Sequence, residues 1–284
     1  MDREPDLYRR TRALKRAVCA LAVLGAHLLL ATVGHAATPL SVAELRQTYA
    51  TLVEQRLSVP DPEAWRYGRM METALRENGA RPEPQFVLLV DCAPSVQAMF
   101  VYLRLSDQEA RLVGASPVST GRPGAYEHFA TPPGVFEHTL RDPDFRAEGT
   151  KNAQGVRGYG KAGMRVFDFG WVVTPRGWGD GRPGAMRLQV HATDPDLLEG
   201  RLGTACSKGC IRIPSGANVF LDRHGVLDAD YERALREGHA VWQLRSDRLT
   251  TPWSGRYLVV VDSAKPERPV WAAFRTRVRS LRPR

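Results

Sequence analysis

The sequence predicts a mainly β domain, an antiparallel or mixed sandwich or a partly closed barrel with short helices, preceded by a helical pair. Three observations predict it. Between residues 85 and 190, short apolar runs recur between Gly and Pro residues, the texture of many short strands. Sustained helical spacing is confined to residues 42–78 and to brief stretches after residue 215. The 25 Gly and 20 Pro supply the turns that such a strand-rich chain needs.

The chain opens on Arg9, Arg10, Arg12, Lys15 and Arg16, then an apolar run over 17–33, then Gly34-His35-Ala36-Ala37. A basic start, a short apolar run and small residues are the pattern of a secretory signal, here residues 1–37, cut after Ala36 or Ala37. An uncleaved membrane anchor is the alternative; the run is short for a span and broken by Gly25 and His27. Ser41 caps a helix over 42–57, in which Leu45, Tyr49, Leu52 and Val53 fall on one face. Asp61-Pro62-Glu63 opens a second helix, ended by Gly79. These helices and the linker at 80–84 read as a separate region over 38–83, a packing or spacer element or a wall-binding one.

Strands follow over 86–91, 96–104, 112–118, 135–140, 164–174 and 186–190. The segment 142–163, with five glycines, is long enough to be a lid or binding loop. Segment 174–184 presents Trp178 between glycines, as a plug on the sheet or a substrate contact. Helices over 216–223 and 228–237 precede a closing strand over 240–245. A further strand over 257–262 and a basic, solvated or surface-binding tail from residue 271 make up residues 248–284.

The net charge is +9, of which six basic and three acidic residues through Ala36 contribute +3 and the remainder carries +6. A basic exported protein is drawn to an acidic polymer or surface. Nucleic acid is excluded as a partner by the export signal and by the lack of an aromatic-interleaved basic motif. A membrane is a partner only if the leader stays uncleaved. Beyond the leader stand Cys92, Cys206 and Cys210, an odd number for an oxidising compartment. A Cys92–Cys206 bridge would leave Cys210 free. Zinc on Cys206, Cys210 and His191 lacks a fourth ligand nearby in sequence.

The chemistry concentrates between His191 and Cys210. His191 ends an apolar run and supplies a base. Cys210 follows in Ser207-Lys208-Gly209-Cys210-Ile211-Arg212, where a thiol needs a base or positive field to ionise. Gly209 allows close backbone approach, Arg212 is shaped to hold a carboxylate, and Ser207 can hydrogen-bond within the turn.

This segment resembles the L,D-transpeptidase catalytic domain family of YkuD-type fold, whose signature is a His, a spacer, then Ser/Thr-His-Gly-Cys. His191, Ser207, Gly209, Cys210 and Arg212 fall on that pattern; Lys208 stands where the family carries a second His. Pro117-Val118-Ser119-Thr120-Gly121 and Thr131-Pro132-Pro133-Gly134-Val135-Phe136 resemble the family's substrate-side strand and turn, and the catalytic domain spans residues 84–247. The resemblance implies Cys210 as nucleophile, His191 as base with a backbone carbonyl near Ala192 orienting it, and no cofactor. It implies peptidoglycan tetrapeptide stems as donor and an envelope or periplasmic location. The acceptor is a second stem, forming a 3–3 crosslink, or a wall-attached lipoprotein. Water as acceptor would give a hydrolase, and a non-catalytic wall-binding module is the reading from another class. Lys⁺ can donate and carry charge but not accept a proton, so Lys208 is expected to support a thiolate, an oxyanion or a substrate carboxylate.

Overall fold

The computed structural model describes residues 40–273. The predicted leader and the arginine-rich tail from Arg275 lie outside them. As the sequence predicts, the described chain is mainly β: two mixed sheets with short helices, and no closed barrel among these residues.

Helix α1 (Val42–Leu52) starts at Ser41, whose hydroxyl accepts from Glu44 N while the Glu44 carboxylate accepts from Ser41 N, so two otherwise unpaired amides are satisfied. Helix α2 (Asp61–Glu77) has Pro62 in its first turn, where no amide partner is missed. Five strands build the first sheet: β1 (Gln85–Asp91), β2 (Ala98–Arg104), β3 (Ala110–Pro117), β4 (Gly134–Glu137) and β9 (Tyr257–Val261). Their order is β3-β2-β1-β9-β4, parallel only between β1 and β9. Four strands build the second sheet: β5 (Phe145–Arg146), β6 (Arg165–Pro175), β7 (Pro183–Ala192) and β8 (Ile211–Ile213), in that order and parallel only between β7 and β8. Helices α3 (Ser215–Arg223) and α4 (Ala229–Arg236) follow β8.

β1 is buried over its whole length because both its faces are covered. Phe86, Leu88 and Val90 point into the main core with Phe167, Leu188, Val190, Ile211 and Phe220 from the second sheet and α3. Val87 and Leu89 point the other way, into a core made with Tyr67, Met71 and Leu75 of α2. A strand buried on both faces reads as a continuous apolar run, which is what FVLLV is.

Three sequence expectations change. α1 and α2 are not a spacer outside the sheets: Leu45 and Tyr49 enter the main core, and α2 covers the outer face of the first sheet. Residues 240–245 form turns and not a strand, with Trp242 exposed and Gln243 buried, the reverse of what an inward-facing apolar alternation needs. The closing strand is β9, in the interior of the first sheet between β1 and β4. The tail does not begin solvated at residue 271 either, because Trp271 packs edge-on against Tyr67 and Phe100. Among the described residues no helix is long and apolar enough to cross a membrane.

Candidate active site

The parallel pairing of β7 and β8 brings the two motif residues together. His191 lies opposite Arg212, and Val190 opposite Ile211, so Cys210 enters β8 beside the end of β7. Side chains alternate along a strand, and Arg187, Gln189 and His191 therefore share one face of β7 while Leu188 and Val190 face the core.

The turn carrying Cys210 is clamped from three sides. Thr120 O accepts from the amides of Cys206 (3.1 Å) and Ser207 (3.0 Å), and Ser207 O accepts from Arg122 N. Phe129 N donates to Lys208 O, and the Thr131 hydroxyl donates to Gly209 O at 2.6 Å. Inside the turn the buried Ser207 hydroxyl donates to Cys210 O (2.6 Å) and accepts from Gly209 N (3.0 Å). Gly209 has φ +135°, and a Cβ there would lie 2.6 Å from Met186 Sδ, so the turn requires glycine. Upstream, the fully buried Gln97 grips Thr120 by both amide ends, with Oε1 accepting from Thr120 N (2.9 Å) and Nε2 donating to Thr120 Oγ1 (2.8 Å). The Pro117–Gly121 and Thr131 segments thus meet the turn through its backbone.

His191 is buried, and its Nδ1 lies 2.7 Å from Ala192 O. A carbonyl only accepts, so Nδ1 carries the proton and Nε2 is left as the basic nitrogen. Burial, and to a smaller extent the Arg212 guanidinium, lower the imidazole to about 4 against the opposing Ala192 bond. The ring is neutral at pH 7. Tyr159, from the long loop, packs edge-on against it at 4.7 Å between centroids.

Cys210 is half-buried. Its thiol is not hydrogen-bonded to the imidazole: its acceptors are Arg187 O at 3.6 Å and, at the outer limit for sulfur, Gln189 Oε1 at 4.0 Å. Burial raises its pKa, opposed by the Gln189 backbone and Arg212 and reinforced by Asp168. The resting pair is therefore neutral thiol and neutral imidazole.

Asp168, Arg187, Gln189 and Tyr159 belong to this site although no motif announces them. Asp168 Oδ2 accepts from Arg187 Nε and Gln189 Nε2, both at 2.7 Å, which turns the Gln189 oxygen toward the thiol and toward Tyr159 Oη at 3.4 Å. The signal available was the alternation in Arg187-Leu188-Gln189-Val190-His191, three polar side chains on one strand face leading to the base.

Arg212 has no carboxylate within ion-pair distance among the described residues; its backbone pairs with Ser119. Lys208 points elsewhere. Its ammonium is exposed and paired with Glu127 Oε2 at 2.9 Å. Cys92, Cys206 and Cys210 are all free thiols, and Cys206 donates to the Ser119 hydroxyl at 3.3 Å, so the Cys92–Cys206 bridge is not formed.

Neither a protein-family model nor a curated protein sequence matches the chain. Among solved structures it is similar to the fused Zn-dependent amidase/peptidase/peptidoglycan-binding domain-containing protein of Clostridium acetobutylicum, with 14% identity over 74% of this chain and 66% of that one, TM-score 0.31. It is also similar to the helical cell shape determining protein Pgp2 of Campylobacter jejuni, with 13% identity over 82% of this chain and 59% of that one, TM-score 0.32. The K307A mutant of Pgp2 matches with 15% identity over 75% and 60%, TM-score 0.33. The chain thus spans 59–66% of the length of these proteins. Likeness at this level carries no functional argument.

Proposed function

We propose that the protein is a cysteine-dependent acyltransferase of the cell wall, an L,D-transpeptidase acting on peptidoglycan tetrapeptide stems. The observation that supports it best is the neutral His191, its tautomer fixed by Ala192 O, on the strand beside a half-buried free thiol. The substrate follows from the motif resemblance of His191 and the Ser207–Arg212 segment.

In this reading the thiol proton leaves Arg187 O and Gln189 Oε1 for His191 Nε2 as Sγ attacks the carbonyl carbon between the L-configured end of a diamino-acid residue and the following D-residue. The tetrahedral intermediate collapses with the C–N bond breaking, and the imidazolium returns its proton to the departing amine. A thioester on Cys210 remains. An amine from a second stem or a wall protein attacks it and restores the thiol; water would give a trimmed tripeptide instead. In the same reading Arg212, which has no carboxylate partner among the described residues, holds a stem carboxylate and stabilises the developing thiolate.

The test is incubation with disaccharide-tetrapeptides and separation of products by mass. Crosslinked dimers are expected; trimmed tripeptides alone would make the protein a hydrolase, and unchanged substrate would sink the enzymatic reading. Cys210→Ser is expected to abolish thioester formation while leaving the fold intact. A carbapenem adduct is expected on Cys210 and nowhere else.

A further inference from the structure

The pairing of β6 with β7 is reset by a bulge beside the candidate site. Asp168 lies opposite Gln189 and Trp171 opposite Arg187, so Phe169 and Gly170 together face the single Leu188. The kink is built on Gly170, at φ +78°, where a Cβ would lie 2.6 Å from Asp142 Oδ2. Bulges re-aim side chains and recur next to active sites. This one aims a single carboxylate at two neighbours on the β7 face that leads to His191. Asp168 Oδ2 accepts from Gln189 Nε2 and Arg187 Nε, both at 2.7 Å, and Asp168 Oδ1 accepts from Gly170 N at 2.9 Å.

These bonds fix which end of the Gln189 carboxamide faces Cys210. Both Asp168 oxygens are engaged as acceptors, so only the amide nitrogen can turn toward them. The amide oxygen is left facing two donors, Tyr159 Oη at 3.4 Å and Cys210 Sγ at 4.0 Å. The other acceptor of the thiol is Arg187 O at 3.6 Å. A sulfur between two such oxygens is held as S–H, because a thiolate has nothing to donate and meets the negative end of both dipoles. The charged and titratable groups around it do not impose this direction. Arg212 on β8 favours the thiolate and Asp168 disfavours it, while Arg187 is engaged by Asp168 and Asp142. Tyr159, raised by burial and by the neighbouring Cys210 and Asp168, stays a neutral donor, and His191 is neutral and turned to Ala192 O.

We infer that Gln189 is a positioning residue for the nucleophile: anchored by Asp168, its carboxamide oxygen keeps Cys210 a thiol, with its proton turned away from His191, in the resting protein. A thiolate reacts with the electrophiles and oxidants it meets, a thiol with few of them. Ionisation is thereby reserved for the moment at which a bound carbonyl draws the sulfur off Gln189 and toward His191 Nε2. The inference rests on the reading of Cys210 as nucleophile.

Its test is alkylation by iodoacetamide of the full protein from pH 5 to 10, with the Cys210 adduct quantified by mass. Gln189→Met keeps the length of the side chain and removes the acceptor, and Asp168 retains Arg187 and Gly170 as donors. The profile is expected to move about 0.5–1 unit to lower pH, a roughly three- to tenfold faster reaction at pH 7. Gln189→Glu keeps an oxygen toward the sulfur and pairs a second carboxyl with Asp168, so its profile is expected to move to higher pH. The two variants go in opposite directions, and either one that folds tests the sign. Profiles of both variants displaced in the same direction, as loss of packing alone would give, overturn the inference, as does a Gln189→Met profile on top of that of the parent. Alkylation needs no substrate, which separates the two claims. Opposite displacements in a protein that forms no thioester with a disaccharide-tetrapeptide overturn only the reaction at Cys210. Thioester formation with superimposed profiles overturns only the role of Gln189.

Discussion

Lys208 shows how a single residue can mislead a motif. Its position two residues before Cys210 suggests a cation held over the thiol, yet the chain turns the ammonium outward to Glu127. The field at the sulfur comes from Arg212 and from backbone amides, against Asp168. Lys208→Met is therefore expected to leave the pH profile of Cys210 alkylation, followed from pH 5 to 10, on top of that of the parent. A shift of the mutant to higher pH would return Lys208 to the site. The same profile tests the resting state. With His191 lowered to about 4 and the thiol raised, no imidazolium is present at neutral pH to hold a thiolate, and the rate should climb into the alkaline range. A plateau near neutral pH would mean a pre-formed ion pair. Cys92, pushed up to about 12 by burial and the neighbouring Asp262 and Asp91, does not confuse the measurement. Cys210 and His191 are legible in sequence because the turn demands a particular string of residues around the sulfur. Asp168 and Gln189 are not legible, since what brings them beside the thiol is a pairing across β6 and β7 that only the register reveals.

Elements were legible where a local rule and the tertiary environment agree. The Ser41 cap, the Pro62 start and the FVLLV strand are each dictated within a few residues. Residues 240–245 fail that agreement. The string alternates, but no sheet edge receives it, and the backbone carbonyl of the buried Gln243 accepts from the Arg146 guanidinium, which also grips Asp222. The role of α2 was hidden for the opposite reason: whether an amphipathic helix is an appendage or a wall depends on the sheet it meets. Here Arg104, on β2 and 2% exposed, forms a forked pair with Glu72 of α2, Nε to Oε1 at 2.8 Å and Nη2 to Oε2 at 2.7 Å, while Nη1 donates to Arg81 O. Glu72→Ala leaves that guanidinium buried without a counter-charge, for which a loss of about 3–5 kcal/mol is expected. Urea titration of parent and variant checks it. A loss below about 1 kcal/mol would mean that α2 is held by its apolar face alone.

At the scale of the molecule, the loop carrying Tyr159 and the helices after β8 are joined through one buried charge cluster. His138, wholly buried at the end of β4, has both ring nitrogens at 2.7 Å from acceptors, Leu227 O and Asp144 Oδ1. Neither acceptor can donate while Asp144 is ionised, so the ring carries two protons. Arg165 of β6 binds the other Asp144 oxygen at 2.5 Å and bridges to Asp228 (2.7 Å) and Asp222 (3.4 Å), and Tyr231 of α4 stacks on the imidazole. Asp144 Oδ1 also accepts from Asp168 N, so the cluster abuts the carboxylate that orients Gln189. Burial alone would drive His138 neutral; the Asp144 carboxylate outweighs it, and the pKa stands above the ordinary 6.5. Burial likewise opposes Asp144 ionisation, and His138 with Arg165 holds its pKa below the ordinary 3.8. A raised histidine contributes stability that is fully present below its unfolded pKa and is lost as pH rises through the folded one. A lowered carboxylate contributes stability present above its unfolded pKa and lost as pH falls through the folded one. Both contributions are complete between about pH 5 and 6, but His191 and His224, each lowered to about 4, contribute stability that is lost as pH falls below about 6.5. The urea midpoint should therefore be highest at about pH 6.5, declining on the alkaline side through His138 and on the acid side through the two neutral histidines and, below about 4, Asp144. His138→Gln, which keeps an amide donor for Asp144 and removes the titrating group, should lower the midpoint at pH 5.5 and flatten the alkaline decline. A variant that folds and declines between pH 6.5 and 9 as steeply as the parent would show that the alkaline loss originates elsewhere and that His138 is neutral in the folded protein.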